Sequence, residues 1–211
     1  MRRRRLAFLL GAIAVGAAAA TAALVLGRSG PSHARASAAP DATWPGGARP
    51  APPFSLHDED GRPVSAAGLL GSDVLVTFID PLCRNFCPYE AKVLNQAVAS
   101  LPDGERPVIV AVSVNRWGNA HANLIEDDQK WRLGPEWRWA IGSPSALAAV
   151  WRRYDIGVED TTRTLAGVTV HEITHTEASY LIDRSGHERA LFLWPFTGSA
   201  VKNSLSSLRG A

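Results

Sequence analysis

Val74 to Phe78 and Val108 to Val114 are apolar runs broken only by Thr77 and Ser113, the pattern of short strands buried on both faces. Between them, Ala91, Leu94, Val98 and Leu101 recur every three or four residues, which predicts a helix over Pro88 to Leu101. Pro88 suits the first turn of that helix, where its missing N–H has no partner to lose. Further helices are predicted over Asn119 to Trp131, over Ser145 to Tyr154 with Ser143 or Ser145 near the start, and over Ser199 to Leu208. Trp137 to Ile141 and Ala178 to Asp183 read as strands, the second turning through Arg184-Ser185-Gly186 into Arg189 to Trp194. Ahead of all of these, Phe54 to Val64 has the pattern of a hairpin, with Asp60-Gly61 as its turn. Strands alternating with helices, closed by a hairpin and a helix, predict an α/β fold: a central mixed sheet flanked by helices, with an N-terminal hairpin.

The start of the chain belongs to another class. Met1 to Arg5 is strongly basic, and Leu6 to Leu26 carries no charge. As a helix, that stretch is long enough for the ~30 Å hydrocarbon core of a bilayer. Basic residues on the short N-terminal side predict that end in the cytoplasm and the remainder outside. Segment 1–27 is therefore expected to be a membrane anchor, giving a single-pass protein of the cell membrane. The alternative is export followed by cleavage, since Ala34-Arg35-Ala36 resembles a signal-peptidase site. Residues 28–52, rich in Ser, Ala, Pro and Gly, are expected to form a flexible tether, and residues 53–211 one domain. Six of the 22 basic residues lie within the first 36 positions, which hold no acid, leaving 16 basic against 20 acidic side chains beyond. A mildly acidic domain has no electrostatic footprint for nucleic acid.

The candidate chemistry sits at Cys83-Arg-Asn-Phe-Cys87, the chain's only two cysteines, after a predicted buried strand and before a helix. A disulfide there would close a very short loop and contribute little stability. A helix N-terminus favours negative charge, so one or both sulfurs are expected to favour the thiolate. Thiolates serve thiol–disulfide exchange or bind a soft metal such as copper(I). The positive charge of Arg84 is expected to favour thiolates but to oppose a bound cation. A third ligand has to come from elsewhere. His175 precedes the strand predicted at Ala178, at a junction that can face the cysteine loop, and His171 and Glu172 are its rivals. His33 falls in the tether, and His57, His121 and His187 in turns or on exposed helix. Structural zinc wants four ligands, so two cysteines and one His suit copper better. Of the seven Trp residues, Trp117 or Trp131 is a candidate to line such a site.

With these residues in view, the chain resembles the Sco/SenC family of copper chaperones over Phe54 to Leu208. The resemblance is carried by the Phe54 to Val64 hairpin, by Phe78 five positions before Cys83-Arg-Asn-Phe-Cys87-Pro88, and by Val112 to Val114. Trp151 to Tyr154 adds to it, as does a His five residues before the Tyr of Tyr180-Leu-Ile-Asp183 with Gly186 beyond. That last spacing selects His175 over His171. The resemblance implies a thioredoxin-like fold that binds copper through Cys83, Cys87 and His175. It also implies a role in metallating the copper centre of cytochrome c oxidase subunit II, or another exported copper protein, with an exported thiol reductant as a further partner. Where family members often carry Cys-Pro-Asp-Val-Cys, this chain has Arg84-Asn85-Phe86, and Thr174 replaces the Asp that often precedes the His.

The competing function is an exported thiol–disulfide oxidoreductase using Cys83 and Cys87 without metal. Thioredoxin-type exchange uses a C-x-x-C pair and a Pro just before the facing strand. Here the pair is one residue longer, and His175-Thr176 lies where that Pro would be. A peroxiredoxin-like peroxidase needs a Thr about four residues before its Cys and a supporting Arg, a pattern that Ile79 and its neighbours do not supply.

Overall fold

The computed structural model describes residues 35–209. The predicted anchor, its alternative cleavage site at Ala34, and His33 lie outside or at the edge of these residues. Among the described residues no helix is long and apolar enough to cross a membrane.

In chain order the strands and helices are β1 (Ala42–Thr43), β2 (Ser55–His57), β3 (Pro63–Ser65), β4 (Val74–Ile79), α1 (Cys87–Ala99), β5 (Val108–Ser113), α2 (His121–Trp131), β6 (Trp137–Ala140), α3 (Pro144–Arg153), β7 (Val158–Leu165), β8 (Val168–His175), β9 (Ala178–Ile182), β10 (Glu188–Leu193) and α4 (Gly198–Ser207). Six of the strands form one sheet in the order β1-β10-β9-β4-β5-β6. The pairs β4–β5 and β5–β6 are parallel, while β4–β9, β9–β10 and β10–β1 are antiparallel. The sheet is mixed, as the order of elements predicts.

The two-residue repeat of a strand divides the core into two layers. Leu75 and Ile79 of β4, Ile109 and Ala111 of β5 and Phe192 of β10 pack with α1, α2 and α4. Val74, Val76 and Phe78 face the other way with Val110, Val112 and Tyr180, against α3 and the β2–β3 hairpin. On that side Phe78, Tyr154 and Tyr180 form an aromatic cluster with centroids 5.1–6.4 Å apart, and the Tyr180 hydroxyl donates to the Tyr154 carbonyl at 2.7 Å. Ser143 caps α3 by accepting from the Ala146 N–H, the better of the two starts that the sequence allows.

Three features depart from expectation. The hairpin turn is longer than Asp60-Gly61: it spans Asp58 to Arg62. Buried Asp58 accepts there from the N–H groups of Asp60 and Arg62, and Gly61 takes a positive φ of 80°. Within the expected tether, β1 pairs with β10, and Ser37 exchanges backbone hydrogen bonds with Pro195 and Thr197. Edge pairing uses only backbone groups, so an apolar repeat is not required to make it. Finally, β7 and β8 form an antiparallel hairpin in the stretch before Ala178, where no strand was predicted.

Candidate functional site

Parallel strands β4 and β5 end at the same sheet edge, and the loop after β4 carries the cysteines. Asp80 shapes that loop: its carboxylate accepts from the Leu82 N–H at 2.7 Å and from the Asn115 side-chain amide at 2.9 Å. Its carbonyl accepts from the Cys83 N–H at 3.0 Å. Asn115 lies just beyond β5, so the two loops are knitted together.

Arg84 closes the loop from the other side. Its Nη1 donates to the carbonyls of Pro81 and Cys83 at 3.2 and 3.0 Å, and to Asp127 of α2 at 3.2 Å. The Asp127 side chain is fully buried while that of Arg84 is half exposed. Burial, against the pull of Arg84, raises the Asp127 carboxyl to about 6. The Arg84 charge is thus paired with a carboxylate, which weakens the opposition to a bound cation expected from sequence.

Cys83 and Cys87 are both free thiols. Cys87 opens α1 and is buried, while Cys83 is half-buried. The Cys83 thiol is lowered to about 6, first by the hydrogen bond from the Cys87 side chain and then by backbone N–H groups of Cys87, Asn85 and Phe86, against the cost of burial. The Cys87 N–H lies 3.3 Å from Cys83 Sγ. Cys87 moves the opposite way: its hydrogen bond to Cys83, burial and the neighbouring negative charge all raise it. Of the two sulfurs, one therefore favours the thiolate and the other keeps its proton, which resolves the expectation of one or both.

His175 closes β8, and β9 starts three residues later. Thr77 of β4 pairs with Ser179 of β9, so β9 begins at the edge where β4 ends and the cysteine loop begins. Burial lowers the His175 imidazole, with smaller opposing effects from the Thr176 carbonyl and from Asp80. Its Nδ1 lies 3.0 Å from the Thr176 carbonyl. A carbonyl only accepts, so Nδ1 carries the proton and the lone pair of the neutral ring sits on Nε2. Among the described residues, however, no three His, Cys, Asp or Glu side chains are clustered so as to hold a metal ion. The fold brings the three predicted ligands to one edge without closing them into a cluster.

The rivals to His175 are occupied elsewhere. His171 pairs with Asp160, and Glu172, on the opposite face of β8, pairs with Arg163. Trp117 stacks on His171 with ring centroids 4.1 Å apart. Trp131 packs against Trp139. His57 lies in β2, His121 approaches Asp60 at 3.7 Å, and His187 contacts Ser185 at 2.9 Å.

Two acids at the site escape a sequence reading. Glu90, on the buried face of α1 with Cys87, Ala91 and Leu94, accepts from the hydroxyls of Thr77 and Ser179 at 2.6 and 2.9 Å. Its place in the apolar stripe was the available clue. Glu177, half-buried two residues after His175, is raised by burial and then by the Cys83 charge.

Comparisons with known proteins bear on the family and the fold. A family profile described as SCO1/SenC matches residues 44–194. The comparison with curated proteins gives no match. Among solved structures, Arabidopsis thaliana ScoI with copper bound is 21% identical, covers 76% of this chain and 99% of its own, and superposes with a TM-score of 0.67. Yeast Sco1 with copper bound is 16% identical, with 77% and 90% covered and a TM-score of 0.68. The thioredoxin domain of a thiol-disulfide oxidoreductase from Bacteroides vulgatus is 18% identical, with 79% and 97% covered and a TM-score of 0.56. At such identities the likenesses establish the thioredoxin-like fold. The profile match, covering more than half of the 211 residues, establishes the lineage: the chain belongs to the SCO1/SenC family.

Proposed function

We propose that the chain is a copper chaperone acting outside the cytoplasm, holding copper(I) through Cys83, Cys87 and His175 and passing it to an exported copper protein. The observation that carries this reading is the donor set: a thiolate-favouring Cys83 beside the Cys87 thiol, and a neutral imidazole whose Nε2 keeps its lone pair. Two soft sulfurs and one nitrogen suit copper(I) and fall short of the four ligands of structural zinc. The copper-bound structures of ScoI and Sco1 support the choice of metal.

Uptake of copper(I) releases the Cys87 proton, and Cys83 contributes a sulfur that is already largely deprotonated above pH 6. Delivery proceeds by ligand exchange, a client sulfur replacing first the more accessible Cys83. Within the family role, the client is subunit II of cytochrome c oxidase. Segment 1–27 serves as the anchor, and an exported reductant returns an oxidised pair to the dithiol.

An anaerobic copper(I) titration of the fully reduced chain, beside Cys83→Ser, Cys87→Ser and His175→Ala, tests this. One copper per chain, weakened in all three variants, is the expected result. No tight copper in the parent refutes it. A second reading, thiol–disulfide exchange without metal, is favoured by the opposite tendencies of the two sulfurs, a nucleophilic thiolate beside a protonated partner. It predicts exchange activity that survives His175→Ala.

A further inference from the structure

The β7–β8 hairpin pairs with no other strand among the described residues, yet it ends in the proposed third ligand. In its register Val158 opposes His175, Asp160 opposes Ile173, and Thr162 opposes His171. These six side chains share one face of the hairpin. Val158 and Ile173 pack against the core beneath α3.

Asp160 and His171 on that face meet Trp117. The His171 Nδ1 lies 2.9 and 3.1 Å from the two Asp160 carboxylate oxygens, and the Trp117 indole N–H donates to Asp160 at 3.2 Å. The Trp117 and His171 rings stack 4.1 Å apart at 25°, and the Arg116 guanidinium lies 4.3 Å from the indole centre. Trp117 is nonetheless 46% exposed, so its contacts are specific rather than those of a core residue.

Trp117 is also tied to the cysteine loop. It sits in a single 3₁₀ turn, Arg116–Gly118, whose Trp117 N–H donates to the Asn115 side chain at 3.0 Å, and Asn115 in turn donates to Asp80. At Gly118 an added Cβ would lie 3.0 Å from both Pro81 and Leu82, the residues that lead into Cys83. The turn and the cysteine loop are therefore packed and hydrogen-bonded together, and the hairpin contacts the turn through Asp160 and His171.

We infer that Trp117, His171 and Asp160 form a latch that sets the position of His175 relative to Cys83 and Cys87. They are positioning residues for the third ligand, an inference that rests on the copper reading above. Outer partners of metal ligands commonly change affinity 10- to 100-fold when removed. Three residues separate His171 from His175 on the same strand, so freeing His171 in mid-strand loosens the end that carries His175.

The test uses the reduced full chain and two readouts. In a copper(I) competition titration, Trp117→Ala and His171→Ala should each weaken binding about tenfold, with no further loss when either is combined with His175→Ala. In the metal-free protein, NMR should show the His175 ring resonances shifting in both variants while amide signals of β4 and β5 stay in place. Asp160→Asn, which keeps the side-chain shape, should shift the same ring signals should either larger change impair folding. Unchanged His175 resonances, or full loss from the latch variants in the His175→Ala background, would overturn the latch. If the parent takes no copper while the His175 signals still respond, the copper reading fails and the latch stands.

Discussion

Glu90 is a carboxylic acid sealed in the core at the base of the cysteine helix, 1% exposed. Burial raises its carboxyl from 4.5 to about 7, even though Thr77 and Ser179 donate hydrogen bonds that favour the charged form. The folded protein thus keeps a proton that the unfolded chain releases between those two pH values. Stability from this group is full below about 4.5 and falls as pH rises through about 7. At ~1.4 kcal/mol per tenfold change in proton affinity, the loss is about 3 kcal/mol. Glu90→Gln removes the titration while keeping an oxygen able to accept from both hydroxyls. Urea unfolding of the reduced protein and the variant should show their stabilities converging near pH 5 and the variant ahead by 2–3 kcal/mol near pH 8, an order-of-magnitude difference set by linkage. Other groups titrate in the same range, and those that do not interact with Glu90 cancel in the difference, while Cys83 and Glu177, whose charges act on Glu90, change with it. A gap that does not change with pH would refute the buried-acid reasoning.

Arg84→Met leaves the buried Asp127 carboxylate without its cation. It should destabilise the fold by about 1–3 kcal/mol in urea, with most of that recovered in the double variant carrying Asp127→Asn. For the sulfurs, iodoacetamide should alkylate Cys83 well before Cys87, with a rate midpoint at about pH 6. Because the hydrogen bond from the Cys87 side chain is the largest effect holding that thiol down, Cys87→Ala should move the midpoint upward. A midpoint that stays put would contradict that role for the Cys87 hydrogen bond.

The layers of the fold were legible wherever burial imposes a period. Strands β4 and β5 are buried along almost their whole length, so their sequences are nearly continuous apolar runs. The helical stripe of α1 likewise names its buried face. The β7–β8 hairpin was not legible because almost every β7 side chain is exposed, which removes the alternation that marks a half-buried strand. Its one clue is Ala166-Gly167, whose positive φ values make the two-residue turn between the strands. The cysteine pair could be read directly from its place between strand and helix. His175 could be chosen only by likeness, since residues 171 and 175 share a strand face and differ in what the fold brings to each. Asp127 and Glu90 were hidden because an acid on a helix reads as solvent-facing until the packing is known.

A copper ion held by two sulfurs and one imidazole has a distinct signature in X-ray absorption at the copper edge of the reduced, copper(I)-loaded chain. A first shell of two sulfurs and one nitrogen is expected, with the nitrogen lost in His175→Ala and unchanged in His187→Ala. A two-sulfur shell identical in parent and His175→Ala would contradict it.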